Sequence, residues 1–171
     1  IIQYDGSKFH GFQRQKNYNS VQETLELTLR EILKTDVVIK GAGRTDAGVH
    51  AVGQVVHFDS EQLVPEKNLK KIVNKKVYPN IYIKSVEYVN ESFHSRVSSI
   101  KKEYRYFVSL NEFSPFKAQY LHYFHNHIEI DKIKEGNPKI TENWLKTSAS
   151  ISVGESCCPL CGSNIADNEK I

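Results

Sequence analysis

The sequence predicts an α+β fold of the ferredoxin-like type, β-α-β-β-α-β, with its helices on one face of an antiparallel sheet. Three observations predict it. A capped amphipathic stretch follows Ser20, and a second, lysine-rich one follows Pro65. Short β-branched and aromatic runs precede, separate and follow these two stretches.

The first run, Ile1 to Tyr4, is closed by the turn pair Asp5-Gly6. A loop extends from Gly6 to Asn19. Ser20-Val21-Gln22-Glu23 is a capping box, in which hydroxyl and carboxylate each satisfy an orphan backbone N–H. Val21, Leu25, Leu29 and Ile32 then recur every three or four residues, and Leu33 widens the apolar stripe. Thr35-Asp36 ends the helix. Val37 to Ile39 reads as a strand and Gly41 to His50 as a glycine-punctuated loop. Val52 to Phe58 reads as a strand with Val52, Gln54, Val56 and Phe58 on one face. Pro65 suits the first turn of a helix that directs Leu69, Ile72 and Val73 inward and its lysines outward. Ile81 to Val89 reads as a strand. Lys102 to Leu110 reads as another, with Tyr104, Tyr106, Val108 and Leu110 on one face and Glu103, Arg105 and Phe107 on the other.

Beyond about Gly136 the periodicity fades into a stretch with the single Trp and a serine-rich run from Ser148 to Ser156. The expected organisation is a catalytic amino-terminal domain over residues 1–110, a lead-in to a second half over 111–136, and an unmatched tail over 137–171.

Composition is that of an ordinary soluble globular protein: 171 residues, 39% hydrophobic and 25% charged. No apolar run approaches the roughly 20 residues of a membrane span, and no signal-peptide core opens the chain. No membrane association is expected, and the cytoplasm is the expected location. The chain lacks Met, so its translation start is expected upstream of Ile1. A net charge of +3 is a mild basic bias. The lysines nonetheless cluster, at Lys67, Lys70, Lys71, Lys75 and Lys76 and again at Lys101, Lys102 and Arg105. Such clusters suit a polyanion, but charge alone favours a solvated helix face and strand end. Cys158-Pro159-Leu160-Cys161-Gly162 resembles one knuckle of a zinc ribbon. A structural zinc needs four ligands, so Cys157 and one of His122, His125 or His127 would have to complete it. The bland alternative is a reduced cytosolic cysteine pair.

Gly41-Ala42-Gly43-Arg44-Thr45-Asp46-Ala47-Gly48-Val49-His50 is the most informative stretch. It is not a Walker A loop, because Val49 rather than Lys follows Gly48. It is not a dinucleotide fingerprint, because Asp46 holds the third-glycine position and a strand follows. What remains is a carboxylate and a guanidinium two residues apart on a flexible turn. In a pocket beside Arg44, an ionised and partly desolvated Asp46 would serve as nucleophile or general base. The same two residues would also serve as an ion pair that fixes a turn.

Gly43-Arg44-Thr45-Asp46-Ala47-Gly48-Val49-His50 resembles the signature of the tRNA pseudouridine synthase A family. Further stretches resemble that family in order: Tyr4-Asp5-Gly6-Ser7, Gly11-Phe12-Gln13-Arg14-Gln15, Ser20-Val21-Gln22 with Leu25-Glu26, and Gly53-Gln54-Val55-Val56-His57-Phe58. Phe93-His94-Ser95-Arg96 and Lys102-Glu103-Tyr104-Arg105-Tyr106 complete the series, which runs from Ile1 to about Ile130. Phe12 stands where the family usually has Trp, and Ser95 and Val97 stand where it usually has Ala and Phe. The second half of the family fold is expected to be missing from the chain.

The resemblance implies isomerisation of uridine to pseudouridine in the tRNA anticodon stem-loop. It implies that Asp46 is the catalytic aspartate, that Tyr104 packs against the target base, and that Arg44 helps hold the base out of the stack. It implies no cofactor and no metal, and a homodimer whose RNA-binding surface spans two subunits. Two other readings stay open: a non-catalytic RNA-binding remnant, and a zinc-ribbon interaction protein.

Overall fold

Two apolar helix faces and three short strands bury each other in the amino-terminal part of the chain. The structure, a computed structural model, describes residues 1–109, 113–123 and 148–153, the last six and Val108 by backbone alone. Contacts divide the chain into two units, Ile1–Ser99 and Ile100–Ile171. The fold is α+β.

In the first unit, β1 (Ile2–Tyr4) lies between β3 (Ala51–Gln54) and β5 (Ile81–Ile83), antiparallel to both. A second antiparallel pair joins β2 (Lys40–Gly41) to β4 (Val56–His57). Helix α1 (Val21–Leu33) starts where the capping box places it: Ser20 Oγ accepts from the Glu23 N–H at 3.2 Å. Such a cap is worth about 1 kcal/mol. The helix ends at Lys34, whose φ of 56° is left-handed and whose N–H reaches the Arg30 carbonyl. Helix α2 (Glu66–Val77) has Pro65 as its cap, one position earlier than the first-turn placement expected. Val21, Leu25, Leu29 and Leu33 of α1 share one core with Leu69, Val73 and Val77 of α2 and with Ile2, Tyr4, Ile81 and Ile83 of the sheet. Burying each such side chain contributes about 1.5–3 kcal/mol.

Four sequence expectations need correction. Val37 to Ile39 is not a strand, although Val37 and Ile39 are buried and Val38 is exposed as in one. Both backbone groups of Ile39 are taken by side chains of α1: its N–H goes to Glu26 and its carbonyl to Gln22. The run from Val52 to Phe58 is two strands, because it changes partner at Val55: β3 pairs with β1 and β4 with β2, where the Ala42 N–H on the Val55 carbonyl at 2.8 Å extends the ladder. The β1–β3 register shifts within β3, between the Tyr4–Ala51 and Ile2–Gln54 pairs, and Val52 is exposed while Val56 and Phe58 pack on the core. Ile72 is exposed, and Val77 takes the third inward place on α2, at the strict four-residue spacing. The strand from Ile81 stops at Ile83, because beyond it the Lys84 and Ser85 N–H groups both turn to the Ile1 carbonyl.

The second unit holds a parallel three-stranded sheet with β6 (Glu103–Ser109) between β7 (His122–Tyr123) and β8 (Ser148–Val153). The expected strand from Lys102 to Leu110 is thus present over seven residues. The cysteine knuckle, His125 and His127 lie outside the described residues. Among the described residues no helix is long and apolar enough to cross a membrane.

Candidate active site

The loop from Ala42 to His50 is tied down on both sides by the segment that follows β1. Phe12 donates its N–H to the Thr45 carbonyl at 3.0 Å, and Gly48 donates to the Phe9 carbonyl at 3.3 Å. Gly6 donates to His50 Nδ1 at 3.2 Å, and that nitrogen lies 3.1 Å from Asp5 Oδ1. Buried Tyr4 shares a 2.8 Å hydrogen bond with the Thr45 hydroxyl. Burial raises the Tyr4 phenol above its ordinary value, against the opposing pull of that bond, so Tyr4 stays a neutral strut. On the other flank Gln54 Nε2 donates to the Gly43 carbonyl at 2.6 Å. The two segments that carry the signature and the opening motif are therefore one hydrogen-bonded body.

Three glycines make this possible; at Gly6 a Cβ would stand 2.0 Å from the Val49 carbonyl oxygen. Gly11 has φ +95°, and a Cβ there would stand 2.7 Å from the Thr45 carbonyl oxygen. Gly48 has φ +80° in a turn closed by the Val49 N–H on the Asp46 carbonyl at 3.2 Å. Positive φ at the third position of such a turn is what glycine permits at least cost.

Asp46 and Arg44 project from this body. Both are exposed, and among the described residues neither side chain has a hydrogen-bond or ion-pair partner. The turn-fixing ion pair is therefore not formed. Among the residues of its own unit that anchor the loop, none walls in Asp46: the turn places the carboxylate at that unit's surface, and the anchoring bonds use backbone groups. A carboxylate held by its backbone and free at its oxygens can approach an external substrate as a nucleophile or base. Tyr104 lies on β6 of the second unit and is also exposed.

Asp5 carries the other end of the loop contact. Burial raises its carboxyl, but hydrogen bonds from the Ser7 hydroxyl and N–H, with His50 nearby, outweigh that and hold it below its ordinary range. Sequence reasoning did not single out Thr45, Gly11 or Glu26. Glu26 had a readable signal: Gln22, Glu26, Leu29 and Leu33 are spaced four, three and four, so a carboxylate lies along an inward stripe.

Comparison with known proteins places these residues in a family. A match to the family described as tRNA pseudouridine synthase covers residues 1–97, which include Arg44 and Asp46. A Lactobacillus helveticus protein named tRNA pseudouridine synthase A is 39% identical over 155 residues, covering 89% of this chain and 59% of its own length. One from Oceanobacillus iheyensis is 42% identical over 137 residues, covering 78% and 54%. One from Ligilactobacillus salivarius is 39% identical over 160 residues, covering 91% and 62%. Since only about a tenth of the chain lies outside the first and third matches, both run past Gly136. The chain spans little more than half the length of these relatives. With its signature loop built as described and matched over its first 97 residues, the chain belongs to the tRNA pseudouridine synthase family.

Proposed function

We propose that this chain carries the catalytic half-site of a tRNA pseudouridine synthase, acting on uridine in the anticodon stem-loop. The observation that carries the reading is the Asp46 turn: a carboxylate with free oxygens, presented by a backbone that the opening motif fastens in place. In the proposed reaction the bond from ribose C1′ to uracil N1 breaks, the base turns, and C1′ joins C5. The proton leaving C5 balances the one gained at N1, so no redox partner enters.

A stacked or paired uridine cannot offer its glycosidic bond to a carboxylate, so the base must be extruded. Extrusion costs a few kcal/mol, offset by stacking on an aromatic ring and cationic contact to phosphate. Tyr104 is assigned the ring and Arg44 the cation. Lys67, Lys71 and Lys75 are exposed on α2 and have no partner among the described residues, as a backbone grip requires. The strand pairings support the ferredoxin-like order. Joining β5-β1-β3 to β4-β2 across the single residue Val55 gives β5-β1-β3/β4-β2, antiparallel throughout.

On this reading the protein is cytoplasmic and homodimeric, residues 1–110 form the catalytic domain, 111–136 lead into a second half, and 137–171 form the tail. Pseudouridine formed in a stem-loop transcript by the wild-type chain, and not by the Asp46→Asn variant, is the expected result. Turnover retained by that variant removes Asp46 from its role. The second reading, an RNA-binding remnant, is favoured by the exposure of Asp46 among the described residues. It predicts transcript binding with no product from the wild type.

A further inference from the structure

Two side chains one turn apart on α1 grip the two segments that flank the Asp46 loop. Glu26 is only 2% exposed, in a face otherwise built of Val, Leu and Ile. Its Oε1 accepts from the Ile39 N–H at 2.9 Å and from Gln22 Nε2 at 3.0 Å. Its Oε2 has no hydrogen bond and faces the Arg14 guanidinium, with which it forms an ion pair. Gln22 donates to the Ile39 carbonyl at 3.0 Å and accepts from the Arg14 N–H at 2.9 Å. Thus Gln22 and Glu26 each hold one backbone group of Ile39, and each holds Arg14, one by backbone and one by side chain.

The two gripped residues stand next to the loop contacts. Ile39 precedes Lys40–Gly41, from which the loop emerges, and Arg14 lies two residues beyond Phe12, which donates to Thr45. A buried carboxylate is costly unless paired and hydrogen-bonded, and an apolar residue would pack the same face without that cost. The charge has a use where it sits: it fastens the Ile39 and Arg14 segments to one helix.

We propose that Gln22, Glu26 and Arg14 form a positioning clasp that sets where Asp46 is presented; this rests on the reading that Asp46 carries the chemistry. The clasp touches no substrate. It acts through Ile39 and Phe12 on the turn from Asp46 to Val49.

The test is amide hydrogen exchange on the full chain, with α2 as internal reference. The paired substitution Arg14→Met with Glu26→Leu removes both charges, so the fold is kept by apolar packing. Exchange at Ile39, Phe12 and Val49 is expected to quicken about tenfold or more, while Leu69 and Val73 stay within about twofold of wild type. Glu26→Gln keeps an acceptor for Ile39 and loses the ion pair, so Ile39 stays protected while Phe12 quickens. Unchanged protection at Phe12 and Val49 in the paired variant overturns the clasp, as does equal quickening in α2, which marks plain destabilisation. On a stem-loop transcript the paired variant is expected to lower kcat with KM unchanged, and a change confined to KM overturns the positioning role. A wild-type chain that makes no pseudouridine counts against the isomerase reading instead, and the exchange result still decides the clasp.

Discussion

The Asp46 loop and helix α2 are both exposed and polar, yet they are held in opposite ways. Helix α2 is attached through its side chains: Leu69, Val73 and Val77 are buried, Asn74 bonds both backbone groups of Ile83, and the helix backbone bonds are its own. The loop contributes no buried apolar side chain, and its backbone bonds are made to Phe9, Phe12, Gln54 and Val55. Apolar attachment is non-directional and tolerates small shifts. Hydrogen bonds from several segments fix position to within tenths of an ångström and fail together when one segment moves. A grip on an RNA backbone needs only the first kind of hold, and a reacting carboxylate needs the second.

The sharpest break in this contrast is chemical. Asp46→Asn keeps the loop and removes the anionic oxygen, so turnover should fall by about a thousandfold or more with little change in transcript affinity. Single-turnover kinetics and a filter-binding titration on the same transcript separate the two. An equal loss of affinity would assign Asp46 to binding.

The next break is in the backbone. Gly11→Ala asks a φ of +95° of a residue with a Cβ and drives that carbon to 2.7 Å from the Thr45 carbonyl. A left-handed residue costs about 1–2 kcal/mol before the overlap is counted. The variant should lose at least that in urea unfolding and should lose turnover beyond what its folded fraction explains. Wild-type stability would show that the two segments part without cost. Ser20→Ala tests the other kind of hold: losing the cap of α1 should cost about 1 kcal/mol and leave kcat unchanged. A kcat loss there would mean that helix stability and loop geometry are not separable.

What the sequence made legible follows the same division. Helix α1 was readable because its signals are local: a capping box, then apolar residues at helical spacing. The loop was readable as a site because its glycines and its Arg–Asp pair are contiguous. What was not readable is non-local. Nothing around Ile39 says that its N–H and carbonyl belong to Glu26 and Gln22, so a β-branched run passed for a strand. Nothing at Val55 says that the chain changes from pairing with β1 to pairing with β2, so one strand was expected where two exist. Asp46 was expected in a pocket because a reactive carboxylate calls for one. The turn that presents it has no wall among the residues of its own unit that anchor it. The resemblance to a family reached the signature; the hydrogen bonds that hold the signature in place join segments far apart in sequence.

The lysine face should respond to salt where the loop does not. Lys67, Lys71 and Lys75 are placed against phosphate in the proposed function, and each released counterion steepens the salt dependence of binding. Replacing all three with Ala should reduce the slope of log affinity against log salt by about two to three, with kcat at saturating transcript unchanged. An unchanged slope would make α2 a solvated face.

The smallest expected effect concerns pH, at the β2–β4 pair. His57 is half-buried, with Nδ1 3.2 Å from the Ser95 N–H that donates to it and its ring 4.7 Å from that of His94. Burial first, then the nearby His94 and Lys40, lower its pKa below the ordinary 6.5, with Asp59 opposing. A histidine depressed in the folded state binds fewer protons there than in the unfolded chain. Its contribution to stability is therefore complete above 6.5 and is lost as pH falls through the lower, folded value. Melting temperature should thus begin to fall below about pH 6.5, before carboxylates such as Asp5 titrate. In His57→Gln, whose side-chain oxygen can accept from the same N–H without titrating, that first step should disappear while the later acid loss remains. A first step that survives the substitution would assign it to another histidine, and would leave the β2–β4 pair indifferent to protonation.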